Sequence, residues 1–234
     1  MAAGPGKFDT LNCRRVSIMD HETLDTLYHS RRTLLNILSA RGYDTKPYEK
    51  FGPFEIGAMA AAGNGAFRMD LERPAEKADN GKVKCRVDFV PRMKNRLAGI
   101  ISNYIQDEEE KPDAIDSNTT ELIFLTTDPI VDAFHSLSFK CFATNLRVSF
   151  FQTDTLVNNP LDHMLVPKHE KVPTDQHAEL MKRLRVNSKT MFPLIRFHED
   201  IIGRIMSLVP GDIVKITRPS PSAGEYVSYR VCAP

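Results

Sequence analysis

Acidic and basic side chains at two places could form a metal-dependent nuclease site. Asp88 lies in a strand-like segment, and the triplet Glu109-Glu110-Lys111 follows later in the chain. Some α/β nucleases hold a divalent metal with an aspartate and an E-x-K group, whose lysine helps to activate water. Glu109, however, falls in an acidic loop before Pro112, whereas such sites need rigid elements. A nuclease is therefore kept as an alternative, and the sequence predicts no catalytic residue.

The cysteines and histidines show no pattern typical of metal binding or nucleophilic catalysis. His163 and His169 lack an accompanying ligand pair. No C-x-x-C pair occurs among the four cysteines, which are Cys13, Cys85, Cys141 and Cys232. We therefore expect free thiols in a reducing compartment, no metal site and no resident cofactor.

The composition is typical of a globular protein, with 41% hydrophobic and 26% charged residues. No apolar run approaches the roughly 18 residues that a membrane-spanning helix needs, and Met1 to Gly6 lacks the features of a signal peptide. The net charge of +1 divides into −3 for residues 1–162 and +4 for residues 163–234. An intracellular protein is expected, and neither part is basic enough to indicate nucleic-acid binding by charge alone.

Hydrophobic periodicity predicts a layered α/β arrangement in the first part of the chain. A helix is expected over residues 19–42, with Asp20 as its cap and Gly42 as its terminator. The segment 43–82 has a weak pattern and is predicted to be a loop or an insertion. Further elements are expected as a strand over 84–90, a helix over 97–105, a strand over 122–125, a helix begun by Asp128-Pro129, and a strand over 147–151.

The polar, turn-prone segment Asn158-Asn159-Pro160 is the predicted boundary between two domains, 1–159 and 160–234. Beyond it, Pro173-Thr174 is predicted to start a helix. Two alternating strands over 213–217 and 226–232 are joined by a segment rich in Pro and Gly, which indicates a hairpin with one face in the core.

The hairpin carries a specific motif. From Gly211 to Val231 the sequence reads G-D-I-V-K-I-T-R-P-S-P-S-A-G-E-Y-V-S-Y-R-V. It closely resembles the carboxy-terminal signature of the fifth, shared subunit of eukaryotic nuclear RNA polymerases, a family with an archaeal counterpart. Upstream, Leu165 to His169 resembles the L-V-P-x-H of that family, and Asp200 with Arg204 resembles part of its D-P-x-A-R, with Ile201 and Gly203 in place of Pro and Ala.

The first part of the chain is a weaker match, carried by Tyr28-x-x-Arg31-Arg32-Thr33 and Arg41-Gly42-Tyr43. It looks like the jaw domain of the eukaryotic members, in which a T-P-S-A segment approaches downstream DNA. The comparable residues here are Thr126, Thr127 and Asp128, and they do not reproduce that motif. This divergence would suit a protist or a large-DNA-virus member of the family.

A docking role for the hairpin agrees with its residue types, because Arg and Tyr are enriched at protein interfaces. The predicted docking residues are Lys215, Arg218, Pro219, Tyr226, Tyr229 and Arg230.

The resemblance implies a non-catalytic structural subunit of DNA-directed RNA polymerase that takes part in transcription. Such a subunit would dock on the largest subunit, contact other subunits, and help to shape the path of downstream DNA, which it would bind weakly and only within the complex. The expected location is the nucleus, or a viral factory or virion if a virus encodes the chain. A free-standing scaffold protein is the remaining alternative.

Overall fold

The computed structural model describes residues 20–63, 65–78, 81–105 and 115–234. Cys13 and the Glu109-Glu110-Lys111 triplet lie outside these residues. The α-helices are α1 (His21–Ala40), α2 (Pro53–Ala62), α3 (Leu97–Ile105), α4 (Asp132–Ala143), α5 (His177–Leu184) and α6 (Ile201–Ile205). The strands are β1 (Met69–Glu72), β2 (Lys84–Phe89), β3 (Thr120–Thr126), β4 (Arg147–Gln152), β5 (Lys168–Lys171), β6 (Leu194–Arg196), β7 (Ile213–Ser220) and β8 (Gly224–Ala233).

The first four strands form one sheet in the order β1-β2-β3-β4. Strand β1 is antiparallel to β2, whereas β2, β3 and β4 run parallel. Every residue of β3 is buried, and so are the first five residues of β4. Such continuous burial is typical of parallel strands that are covered on both faces.

Two hydrophobic cores lie on opposite faces of this sheet. One contains Leu34 and Leu38 of α1 together with Ile123 of β3. The other contains Phe134 of α4 and Phe124 of β3. The predicted α/β class is therefore confirmed, with α1 and α2 on one face and α3 and α4 on the other. Within the described ranges, no helix has both the length and the apolar content needed to cross a bilayer.

The prediction that residues 43–82 form a loop or an insertion is wrong for residues 53–62 and 69–72. The segment contains helix α2, whose first residue is Pro53 and whose Glu55 carboxylate accepts a hydrogen bond from the Gly52 N–H (2.7 Å). It also contains β1, which pairs with β2. Only Ile56 is fully buried in α2, so the helix has no apolar stripe that a sequence pattern could reveal.

The second sheet has the order β5-β7-β8-β6. Strands β7 and β8 form the predicted hairpin, although both extend further into the connecting segment than predicted, which leaves a loop of residues 221–223. Helix α5 packs on one face of this sheet through Leu180, which contacts the core formed with Ile213 and Val231.

Helix α6 connects the second sheet to the first. The Asp200 carboxylate accepts a hydrogen bond from the Ile202 N–H (2.8 Å), and the Arg204 guanidinium donates to the Phe150 carbonyl in β4 (2.6 Å). A Cβ added to Gly203 would come no nearer than 3.5 Å to any atom, the Arg196 carbonyl oxygen. An alanine at this position, as in the family motif, would therefore fit without a steric clash.

Candidate functional site

The candidate site is the β7–β8 hairpin, whose base and tip have different surroundings. At the base, Val214 lies in a core with Phe197, and Ile213 lies in a second core with Leu180. Both faces of the base are therefore buried, and the prediction that only one face is core is wrong. The tip extends beyond the short partner strands, because β5 pairs with β7 only as far as Thr217.

The six predicted docking residues lie on opposite faces of the hairpin. Side chains alternate along a strand, and the register pairs Lys215 with Tyr229 and Arg218 with Tyr226. The face toward α5 therefore carries Lys215, Pro219 and Tyr229, and the other face carries Arg218, Tyr226 and Arg230. A single flat partner surface could not cover all six.

On both faces the exposed residues lie toward the tip and the half-buried ones toward the base, and Pro219 on the α5 face is exposed. Arg218 and Tyr226 are exposed, Tyr226 at 58%. Arg230 is half-buried and donates to the Leu194 carbonyl (3.1 Å). On the other face, Lys215 is half-buried and lies 3.3 Å from the Glu170 carboxylate.

A cavity of about 640 Å³ lies between α5 and the hairpin. The Arg183 guanidinium donates to the Tyr229 hydroxyl across it (3.0 Å). Apolar atoms of Leu180, Leu184 and Val227 also line it. The cavity can therefore receive an apolar side chain beside a cation.

The predicted DNA-proximal residues lie at the end of β3, with Thr126 as its last residue. Thr126 is fully buried, and its hydroxyl accepts a hydrogen bond from the Asp128 N–H (3.1 Å). The Thr127 hydroxyl donates to the Pro91 carbonyl (2.6 Å). Of these residues, Thr127 and Asp128 are the partly exposed ones.

The prediction that Asp128 caps the following helix is wrong. Its carboxylate instead accepts hydrogen bonds from the N–H groups of Met93 (2.8 Å) and Lys94 (2.9 Å), and α4 starts later, at Asp132. Asp128 therefore holds the segment after β2 against the end of β3.

Asp88 is not arranged as a metal ligand in the part of the chain that the structure describes. It is buried and pairs with Arg68, at 3.3 Å between Oδ1 and Nε. No group of three carboxylate, histidine or cysteine side chains among the described residues could hold a metal ion. Cys85, Cys141 and Cys232 are buried free thiols, and burial raises the pKa of the Cys141 thiol to about 11.

Sequence patterns missed a buried ionic network that joins the first sheet to the end of α1 and to the segment after α6. Glu121 in β3 is 2% exposed, and its carboxylate oxygens accept hydrogen bonds from Arg41 at the end of α1 (2.6 and 2.7 Å). Ser207, just after α6, donates to the same carboxylate (3.2 Å), and Arg147 lies 3.8 Å away. Burial alone would raise the pKa of Glu121, but the Arg41 and Arg147 guanidiniums hold it below its usual value. The one feature of the sequence that could have indicated this network is the position of Glu121, directly before the apolar run of β3.

A second missed contact is a pair of histidines between α4 and the segment before α6. Nδ1 of His198 lies 2.9 Å from Nδ1 of His135, and Nε2 of His198 accepts a hydrogen bond from the Phe150 N–H (3.0 Å). Because Nε2 accepts, neutral His198 carries its proton on Nδ1 and donates it to His135. Burial, together with the positive charge of Arg204, lowers the pKa of His198 to about 2.

Comparison with known proteins confirms the resemblance carried by the hairpin. The model of the family described as RNA polymerase Rpb5, C-terminal domain, matches residues 158–232. The DNA-directed RNA polymerase subunit Rpo5 of Archaeoglobus fulgidus is 49% identical over 70 residues, which are 30% of this chain and 90% of that protein. Subunit Rpo5 of Staphylothermus marinus is 40% identical over 72 residues, which are 31% of this chain and 77% of that protein.

A further relative extends the similarity to most of the chain. The DNA-directed RNA polymerases I, II, and III subunit rpabc1 of Dictyostelium discoideum is 26% identical over 213 residues, 90% of this chain and 99% of that protein. The similarity to the two archaeal proteins is higher and lies within about 70 residues, which are 90% and 77% of their lengths. The chain belongs to the family of RNA polymerase subunits that comprises Rpb5 and Rpo5.

Proposed function

We propose that this chain is a non-catalytic structural subunit that docks on the largest subunit of a DNA-directed RNA polymerase and contacts other polymerase subunits. Residues 160–234 would form the assembly domain, and residues 1–159 a jaw-like domain beside downstream DNA. The division at Asn159 is supported by the start of the family match at residue 158.

The observation that carries this proposal is that the archaeal relatives match a much shorter part of this chain than the eukaryotic relative does. The match to 90% of the Archaeoglobus fulgidus subunit takes only 70 residues of this chain, about the length of the family match at residues 158–232, whereas the match to the Dictyostelium subunit takes 213 residues and so extends into the amino-terminal part. A function common to all of them must reside in the shared part. That function is assembly into polymerase, and the exposed hairpin tip is the surface that would bind the partner subunit.

Arg218→Glu is expected to weaken incorporation into polymerase by roughly thirtyfold or more. Reversal of a charge at an interface costs about 2 kcal/mol or more of binding free energy. Arg218 is exposed, and none of the ion pairs among the described residues includes it, so the fold should tolerate the change. Recovery of the large catalytic subunits with tagged full-length chain, by quantitative mass spectrometry, measures the effect.

Lys140→Glu is the matched control, because Lys140 is also exposed but lies on α4, away from the hairpin. It should leave recovery unchanged. Equal recovery with Arg218→Glu and with the unchanged chain, or unfolding of the Arg218→Glu variant by circular dichroism, would contradict the predicted role of Arg218.

The jaw-like domain is proposed to lie near downstream DNA without adding much affinity. The net charge of −3 for residues 1–162 opposes phosphate binding, so counterion release contributes little. Contact would have to be local, and Thr127 is the partly exposed hydroxyl at this position. A photoreactive residue at position 127 is expected to crosslink to downstream DNA in assembled, transcribing polymerase. Normal transcription without any such crosslink would place this domain elsewhere.

Copurification also separates this function from a free-standing scaffold, which would recover no catalytic subunits. A nuclease would instead cut DNA in a metal-dependent way, with loss of cleavage in Asp88→Ala. The proposed location is the nucleus, or a viral factory or virion for a virus-encoded chain, and fluorescence microscopy of the tagged chain separates these compartments.

A further inference from the structure

The outer edge of β8 is open over most of its length. Strand β6 pairs only with Val231–Ala233, at the end of β8. Over the preceding residues, 224–230, no strand in the described part of the chain pairs with this side of β8. An open edge of this length presents backbone donors and acceptors to any extended segment that approaches it.

The hydrogen bonds at the end of β8 show which groups point outward. The Val231 N–H donates to the Pro193 carbonyl on the β6 side (2.9 Å), and the Cys232 N–H donates to the Asp212 carbonyl on the β7 side (2.8 Å). Because the direction alternates along a strand, the N–H and C=O groups of Val227 and Tyr229 point to the open edge. The Glu225 N–H is already bonded to the Ala223 carbonyl (2.9 Å).

Two features prevent an added strand from pairing with the opposite edge of the hairpin, which is the outer edge of β7. Strand β5 covers β7 from Val214 to Thr217. Beyond it stands Pro219, whose nitrogen by the same alternation points outward and has no hydrogen to donate. Natural proteins use prolines and covering strands in this way to prevent pairing at an edge. Between residues 224 and 230, the edge of β8 has no proline, and no strand in the described part of the chain covers it.

The cavity under α5 adjoins the open edge and indicates the chemistry of an added strand. Val227 and Tyr229, whose backbone groups point outward, also line this cavity with their side chains. In strand addition, backbone bonds supply affinity and pockets for alternate side chains supply specificity. Leu184 offers an apolar wall. The lining also holds two cations, Arg183 and Lys215, against one carboxylate, Glu179, so it favours an acidic side chain, which would pair with Arg183.

We propose that a partner subunit of the polymerase adds an extended segment with apolar and acidic side chains to the edge of β8, by backbone pairing with Val227 and Tyr229. This inference rests on the proposed function and specifies how the hairpin binds its partner. One apolar side chain of the segment enters the cavity under α5, and one carboxylate pairs with Arg183.

Val227→Pro removes one outward N–H while the bonds of β8 to β7 remain. It is expected to lower the recovery of catalytic subunits with the tagged full-length chain about tenfold, since the partner carbonyl then lacks its donor. Lys140→Glu, on α4 and away from the hairpin, is the control here too, and it should assemble normally. Arg183→Glu should also reduce recovery about tenfold, because it would face the carboxylate of the segment. Normal recovery with either Val227→Pro or Arg183→Glu overturns the proposal.

Hydrogen exchange of the unmodified chain tests the same pairing without relying on a variant that could misfold. On assembly, the amides of Val227 and Tyr229 should become protected, whereas those of Tyr226 and Ser228, which point toward β7, should be protected before and after. Equal exchange of Val227 and Tyr229 in free and assembled chain overturns the edge pairing. A second outcome also overturns it: these two amides are protected in the free chain, and sedimentation shows a dimer that forms with rising concentration. The edge of β8 would then pair with a second copy of this chain. If the unmodified chain recovers no catalytic subunits at all, the proposed function fails as well.

Discussion

Replacement of Glu121 by alanine is expected to lower the free energy of unfolding by about 3–5 kcal/mol. The Glu121 carboxylate is buried and neutralises Arg41 and Arg147, at 2.6 and 3.8 Å. Removal of the carboxylate leaves two guanidiniums in a region closed to water, and it also removes the acceptor of the Ser207 hydroxyl. The residues of this network come from the end of α1, from β3 and β4, and from the segment after α6, so its loss should also loosen the segment after α6 from the first sheet.

Urea unfolding of the full-length chain, followed by circular dichroism, measures this change. Glu72→Ala is the control, because the Glu72 side chain is 71% exposed and pairs with Lys84 on the surface of the same sheet. Surface pairs of this kind contribute about 0–1 kcal/mol. A loss below about 1 kcal/mol for Glu121→Ala would contradict the role of the network.

Acidification from pH 7 to pH 5 is expected to destabilise the chain by about 2 kcal/mol through His198 alone. Burial lowers the pKa of folded His198 to about 2, whereas in the unfolded chain it is about 6.5. Between these values the unfolded state binds a proton that the folded state does not, so stability falls as the pH falls. The contribution is fully present above pH 6.5. Protonation in the fold would bring a third positive charge beside Arg204 and Arg147 and would remove the acceptor of the Phe150 N–H.

His198→Gln should remove this part of the pH dependence, because the glutamine carbonyl can accept the Phe150 hydrogen bond without titrating. His135, whose pKa is also lowered by burial, adds to the slope in the same direction. His163→Gln is the control, since His163 is exposed. Unfolding free energies measured from pH 5 to pH 8 give the comparison, and an unchanged slope in His198→Gln would show that another group is responsible.

Local patterns predicted the elements whose cores lie along a single periodic stripe. Helices α1 and α3 follow a 3.6-residue repeat, and the hairpin of β7 and β8 alternates with a period of two, so each was predicted close to its observed bounds. Helix α2 was missed because it has no clear apolar stripe, and strand β1 because its alternation of buried and exposed residues is only four residues long. Helix α2 is held by packing against α1, and β1 by pairing with β2.

Hydrogen bonds between distant segments account for the errors at single residues. A cap is the usual role of an aspartate before Pro129, yet the Asp128 carboxylate binds backbone groups some 35 residues away in sequence. Nothing in its neighbours along the chain indicates that choice. The same holds for Glu121 and His198. Their partners lie at the end of α1, in α4, in β4 and after α6, and most of them are far away in sequence.

The sequence by itself determined the α/β class, the hairpin and the family, because periodicity and a contiguous motif are properties of neighbouring residues. Only the tertiary structure decided what surrounds that motif. Alternation places Lys215 and Arg218 on opposite faces, but whether a face is buried, bordered by a cavity or open depends on α5, β5 and β6. The open edge of β8 and the buried ionic network are likewise consequences of long-range packing, in which each residue's environment is set by segments far from it in sequence.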